Sequence, residues 1–129
     1  MVLGVRFSIM LDIFAINDDK EIPEVLAIYA KKSGLKFRGE TNIDLAIKSI
    51  SELKPKIVIV DIIMPEMDGI SVLKKIKKEH PDQIVGVLSS KESDFDKEVA
   101  LDNGAQFFAN KPISHDEFNG LLKPILKSF

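Results

Sequence analysis

The stretch Ile57-Val58-Ile59-Val60-Asp61-Ile62-Ile63-Met64-Pro65-Glu66-Met67-Asp68-Gly69 decides how this chain is read. Four branched apolar residues in succession suit a strand buried on both faces, as in a parallel sheet covered by helices. A carboxylate, Asp61, follows them at once. The segment after it, with Met64 and Met67, reads as packing and loop structure.

Working outward, four more short apolar runs appear: Leu11–Ile16, Leu35–Gly39, Ile84–Leu88 and Gln106–Ala109. Segments with helical spacing separate them. Ile43, Ala46, Ile47, Ile50 and Leu53 form one stripe, and Ile70, Leu73 and Ile76 another. Beside the latter, Lys74, Lys75, Lys77 and Lys78 read as the solvated face. Phe118, Leu121, Leu122 and Ile125 form a third stripe, in which Pro124 should kink or shorten the helix. Val25, Leu26 and Tyr29 suggest a helix from near Asp19. Phe95, Val99, Ala100 and Leu101 suggest one that stops at Asn103-Gly104. The order is β-α five times over, which builds a parallel sheet with helices on both faces.

The bulk composition agrees. The chain has 129 residues, 45% apolar and 29% charged, with net charge -2 and no cysteine. That is one domain with a sizeable core and no staples. Disulfides and thiolate metal sites are excluded. No concentrated basic surface points to nucleic acid or an anionic membrane. No run is long enough to span a bilayer, and Arg6 makes MVLGVRFSIM a poor signal peptide. Residues 1–10 are read as a strand extension or a leader upstream of a start at Met10, residues 11–129 as the domain, and a cytoplasmic location as the default.

Ligands of such sheets bind outside the carboxyl ends of the strands. The residues there are Asn17-Asp18-Asp19, Asp61, Ser89-Ser90 and Asn110-Lys111-Pro112. Acids, a hydroxyl and a lysine converging on one edge suit a divalent cation and a phosphoryl group. Asp61 can act as a nucleophile toward phosphorus, although an aspartate after a strand also serves as a turn former. Asp18 suits Mg²⁺, which prefers oxygen donors; Asp18 or Asp19 equally suits a helix cap. Lys111 follows an apolar run rather than lying on a polar helix face, so an aimed charge is favoured over a solvated one. Ser89 offers a hydroxyl, with turn or cap duty open to it or to Ser90. His80 and His115 have no ligand-spaced partner and read as structural or surface groups.

Taken together these motifs resemble the receiver domains of response regulators. Val60 to Gly69 resembles the phosphorylation-site signature. Asn103-Gly104-Ala105 with Lys111-Pro112 resembles the fifth strand and its lysine-proline pair, and IFAINDDKEI the first strand with its acidic pair. Residues 11–127 carry the likeness in order. The spacings agree with it, at 43 residues from Asp18 to Asp61, 28 from Asp61 to Ser89 and 50 from Asp61 to Lys111.

The resemblance implies a flavodoxin-like (βα)5 fold, a doubly wound parallel sheet of strand order 2-1-3-4-5. It implies Asp61 as phosphoacceptor, with Mg²⁺ held by Asp18, Asp61 and the Ile63 backbone carbonyl, and by Asn17 through water. Lys111 would meet the phosphoryl group, and its bond to Pro112 would be cis. Ser89 takes the place of the switch hydroxyl and Phe108 that of the switch aromatic. The implied donor is a phosphohistidine on a sensor histidine kinase or phosphotransfer protein. The protein is then a switch rather than an enzyme, its chemistry limited to self-catalysed phosphotransfer and autodephosphorylation. The expectation is a stand-alone receiver without an output domain, which would pass its signal to a partner protein, as a monomer or a phosphorylation-dependent dimer. Phe118, Ile125 and Phe129 belong either to that surface or to the core.

Two other readings compete with this one. A receiver-like interaction module that works without phosphorylation stays open because of Asn17. An enzyme on a related scaffold fits poorly. A haloacid-dehalogenase-type phosphatase needs an acid where Ile63 stands, and a dinucleotide enzyme needs a glycine-rich turn where Asn17-Asp18-Asp19 stands.

Asn17 is the departure from the family pattern, which has an acid there. One charge lost at ~5 Å from a dication in near-aqueous surroundings is worth about 1–2 kcal/mol. Mg²⁺ binding should therefore be weaker by roughly tenfold than with the acid present. Asn17→Asp is expected to restore that factor in a Mg²⁺ titration; an unchanged affinity would refute the argument.

Overall fold

The computed structural model describes residues 11–17, 21–61, 69–89 and 94–129. Residues 1–10 and Asp18, Ile63, Met64, Met67 and Ser90 lie outside the described residues, as does the side chain of Phe95. The elements alternate as β1 (Ile13–Ile16), α1 (Glu21–Lys32), β2 (Phe37–Glu40), α2 (Ile43–Leu53), β3 (Ile57–Asp61), α3 (Gly69–Glu79), β4 (Ile84–Ser89), α4 (Asp94–Asp102), β5 (Phe107–Asn110) and α5 (His115–Leu126). All strand pairs are parallel, in the order β2-β1-β3-β4-β5. The chain winds outward from β1 to β2, then returns past β1 to β3. That reversal opens a crevice at the carboxyl ends of β1 and β3. The expected doubly wound sheet is therefore the one observed.

The central strands explain the two-sided burial. Ile57 and Ile59 of β3 face a cluster with Leu26 and Ala30 of α1 and Phe118 and Leu122 of α5. Val58 and Val60 face the opposite cluster, with Ile47 of α2, Leu73 and Ile76 of α3 and Ala100 of α4. Strand side chains alternate faces, so an all-apolar run needs helices on both. The edge strand β2 is only half-buried, and its FRGE sequence is the least apolar of the five.

Local chemistry sets the helix ends. Gly104, at φ +95°, closes α4: its N–H donates to the Leu101 carbonyl and that of Ala105 to the Ala100 carbonyl. Gly34, at φ +71°, closes α1 in the same way, with Gly34 donating to Lys31 and Leu35 to Ala30. Both are Schellman motifs, which need a left-handed residue that glycine supplies without strain. Leu35 is spent on this turn, so β2 begins at Phe37 rather than at Leu35, as the apolar run had suggested. Helix α5 is capped by Ser114, whose hydroxyl accepts from the Glu117 N–H at 3.1 Å, and it runs through Pro124 to Leu126.

The lysine run is less uniform than it reads. Lys77 is half-buried rather than solvated: its aliphatic stem packs under Gly104 and its Nζ donates to the Gln83 carbonyl at 2.5 Å. A long stem with a charged tip can cover apolar surface and still reach a polar partner. Of the residues left between surface and core, Phe118 is buried, Ile125 packs against the α1/α5 cluster, and Phe129 is exposed.

Gly86 is paired with Phe107 across β4 and β5, and a Cβ added to it would lie only 2.1 Å from Cζ of the Phe107 ring. The glycine leaves the space that the Phe107 ring occupies. Gly86→Ala is expected to cost about 1–3 kcal/mol in urea unfolding by overpacking. Combining it with Phe107→Leu should recover part of that loss, since contacting residues couple. A neutral Gly86→Ala would contradict this packing.

Candidate functional site

Three polar residues are buried among the described residues: Asn17 at 2% exposure, Asp61 at 4% and Ser89 at 0%. All three stand at the carboxyl ends of central strands. Asn17 follows β1, Asp61 ends β3 and Ser89 ends β4. A buried charge or amide costs free energy unless it is paired. Here Asp61 is met by Asn17 and by Lys111.

The registers bring Asn17 and Asp61 side by side. Ile16 pairs with Val60, so the next residue on each strand shares the crevice. The Asn17 amide nitrogen donates to Asp61 Oδ2 at 2.8 Å. Lys111 Nζ donates to the same oxygen in a short ion pair. Lys111 follows β5, two strands away from β3, so its side chain reaches past β4 to the carboxylate. The lysine side chain is long enough for this reach, and it keeps only 17% of its own surface exposed.

The loop that carries Lys111 is fixed at several points. The Lys111 N–H donates to the Ser89 carbonyl at 2.7 Å. The Lys111–Pro112 peptide bond is cis. Ile113 is buried in the α1/α5 cluster, and its carbonyl accepts from the Tyr29 hydroxyl at 2.9 Å. Tyr29 also stacks on His115, whose Nε2 lies 3.1 Å from the Ser33 hydroxyl. So Tyr29 ties α1 to the β5–α5 loop, and His115 has a structural place in that tie. Helical periodicity marks Tyr29 only as an apolar position and gives no sign of its hydroxyl's partner.

Ser89 and Phe108 share one face of the sheet. Phe108 pairs with Val87, two residues before Ser89, and packs half-buried against the α2/α3/α4 cluster. Asp18 and the Ile63 carbonyl, expected at the metal, lie outside the described residues. Among the described residues no group of three or more His, Cys, Asp or Glu side chains gathers as a metal cluster. The direct bond from Asn17 to Asp61 was not foreseen from the sequence, which gave Asn17 a contact through water only. The signal that marks it is the register of β1 on β3, which sets an amide one residue past one strand end level with the carboxylate that ends the other.

Among the described residues this edge presents a buried carboxylate, an ammonium held against it, a buried hydroxyl and an amide. None of the described helices is long and apolar enough to cross a membrane. The family model for the response regulator receiver domain matches residues 13–123. The chain is 29% identical over 115 residues to the alkaline phosphatase synthesis transcriptional regulatory protein PhoP of Bacillus subtilis (strain 168). That match takes in 89% of this chain and 48% of PhoP, so the chain spans about half the length of this curated relative.

Among solved structures, the receiver domain of the Francisella response regulator 1452 superposes with a TM-score of 0.82 at 25% identity, covering 92% of this chain and 98% of that one. The beryllofluoride-activated NtrC4 receiver domain dimer gives 0.82 at 26% identity, covering 90% and 96%. The chemotaxis protein CheY4 of Vibrio cholerae gives 0.81 at 18% identity, covering 90% and 98%, which speaks to the fold alone. With its sheet order, its buried strand-end site and a family match over most of its length, the chain belongs to the response regulator receiver domains of two-component systems.

Proposed function

We propose that the chain accepts a phosphoryl group on Asp61 from a phosphohistidine of a sensor kinase or phosphotransfer protein. The observation that carries this reading is the buried Asp61 carboxylate held by Lys111 across an intervening strand. A fold selected for stability alone would gain as much from an apolar pair there.

The donors at this edge fit Mg²⁺. A buried carboxylate and an amide oxygen are hard ligands, and the ion uses one or two carboxylates while keeping several waters. Asp18, Asp61 and the Ile63 carbonyl would hold it, with Asn17 acting through water. When bound, Mg²⁺ supplies charge neutralisation for the phosphoryl oxygens.

The chain's own residues do the rest. Lys111 releases Asp61 Oδ2 to meet a phosphoryl oxygen as a point charge. An Asp61 oxygen attacks phosphorus in line. The new O–P bond forms as the N–P bond to the donor imidazole breaks, and the imidazole takes up a proton. Positioning and electrostatics supply most of the catalysis in such transfers. The product puts a dianion where a monoanion stood. The Ser89 hydroxyl then donates to a phosphoryl oxygen, and Phe108 turns into the space that Ser89 leaves. That is a two-state change biased by one local charge event, read by a partner at the face formed by α4, β5 and α5.

Intact-mass measurement after incubation with a small phosphodonor and Mg²⁺ is expected to show one added phosphoryl unit, absent in Asp61→Asn. Lys111→Met should slow labelling by about 10²-fold, the usual cost of removing one charge-stabilising donor. A mass that never rises, or equal labelling of Asp61→Asn, would favour an interaction module that works without phosphorylation. Phosphotransfer profiling against the sensor kinases of the same organism would then name the donor.

A further inference from the structure

We propose that the Tyr29 hydroxyl sets the aim of Lys111, which makes Tyr29 a positioning residue for phosphoryl transfer to Asp61. The inference rests on the proposed function and names a residue that acts through Lys111 without touching the phosphoryl group.

The reaction itself creates the need for such a residue. In the resting site Lys111 Nζ is held against Asp61. During transfer it leaves that oxygen for a phosphoryl oxygen, so the ion pair cannot position it then. A lysine side chain is a flexible four-carbon stem, and its charge is placed only as well as its backbone is. Two contacts hold that backbone. On the β4 side the Lys111 N–H donates to the Ser89 carbonyl at 2.7 Å. On the α1 side the Tyr29 hydroxyl donates at 2.9 Å to the carbonyl of Ile113, the residue after Pro112.

The Tyr29 ring is itself held. It stacks on His115 with 5.2 Å between centroids and tilts against Phe118 at 5.6 Å. His115 is placed in turn by Ser33 and Asn119, whose Oγ and Nδ2 lie 3.1 and 3.3 Å from its Nε2. The Ser33 hydroxyl donates to Asn119 Oδ1 at 2.8 Å and closes this group. A hydrogen bond serving stability alone would do as well anywhere along the seam between α1 and α5. This one grips the loop between β5 and α5, which is where Lys111 stands. Misplacing a reacting group by about 1 Å can cost up to about 10²-fold in rate.

Phosphoryl labelling by a small phosphodonor with Mg²⁺, followed at a temperature where every variant is folded, tests this. Tyr29→Phe keeps the ring and removes the hydroxyl. Ile47→Val trims the core on the opposite face of the sheet. Each should lower Tm by about 5 °C. Tyr29→Phe should slow labelling about fivefold, a fraction of what the whole lysine contributes. Ile47→Val should label at the wild-type rate. In a Lys111→Met chain, Tyr29→Phe should slow labelling no further, because its effect runs through the lysine. Wild-type labelling by Tyr29→Phe, a slowing shared by Ile47→Val, or an equal slowing in the Lys111→Met chain would overturn the proposal.

A second measurement needs neither a phosphodonor nor a folded Tyr29→Phe. Tyr29 is the only tyrosine in the sequence, so isotopic labelling of tyrosine Cζ gives a single NMR resonance. Coupling between two groups is reciprocal. Lys111→Met should therefore shift that resonance, and Ile47→Val should not. A resonance that ignores Lys111→Met refutes the link. A chain that never labels but shows the shift would sink the functional reading and leave the hold of Tyr29 on Lys111 standing. A chain that labels, and does so equally fast with Tyr29→Phe, would do the reverse.

Discussion

The contact between Lys111 and Asp61 is the constraint around which the site is built. A carboxylate at 4% exposure is costly to bury unless charge and donors meet it. The protein supplies both from other strands. This places demands on elements far apart in the chain. β3 must end at the crevice, β4 must stay low enough for a lysine to pass, and the β5–α5 loop must aim that lysine inward. The bond from Lys111 N–H to the Ser89 carbonyl and the Tyr29 bond to Ile113 fix that aim.

The same geometry explains why the polar residues cluster. The interior of the sheet is apolar on both faces, and the buried polar side chains among the described residues are Asn17, Asp61 and Ser89. Each ends a strand or directly follows one. A sheet whose winding reverses beside β1 leaves an opening there that no crossover connection fills. Polar groups can be desolvated in that opening and still find one another. Ser89 and Phe108 lie on one sheet face, so the crevice and the α2/α3/α4 cluster are adjacent in the packing.

Much of the rest of the molecule serves to hold this edge still. Schellman turns at Gly34 and Gly104 stop α1 and α4 at defined points and feed β2 and β5. At the opposite end of the sheet, Lys56 pairs with Asp12 at 3.1 Å, and Lys77 closes on the Gln83 carbonyl. Gly86 lets Phe107 lie over β4, which seats the strand that leads to Lys111. These contacts carry no chemistry of their own. They fix strand register, and register decides which side chains meet at the crevice.

The sequence alone determined the five-fold β-α alternation, the parallel sheet and the strand ends that form the site. Apolar runs such as Ile57–Val60 and stripes such as Ile70, Leu73 and Ile76 are local patterns whose period reflects the backbone geometry. It also indicated Asp61, Ser89 and Lys111, because each stands just after such a run, and Phe108 through the family resemblance alone. What it left undecided depends on contacts between residues distant in the chain. The half-burial of Lys77, the Gly34 turn that shifts α1 into β2, and the Tyr29 anchor all depend on neighbours that periodicity does not reveal. Above all, that the Asn17 amide turns directly to Asp61 is a fact of register between β1 and β3. A hydrogen bond reaches only about 3 Å, and only the folded sheet brings two residues that far apart in the chain within that reach.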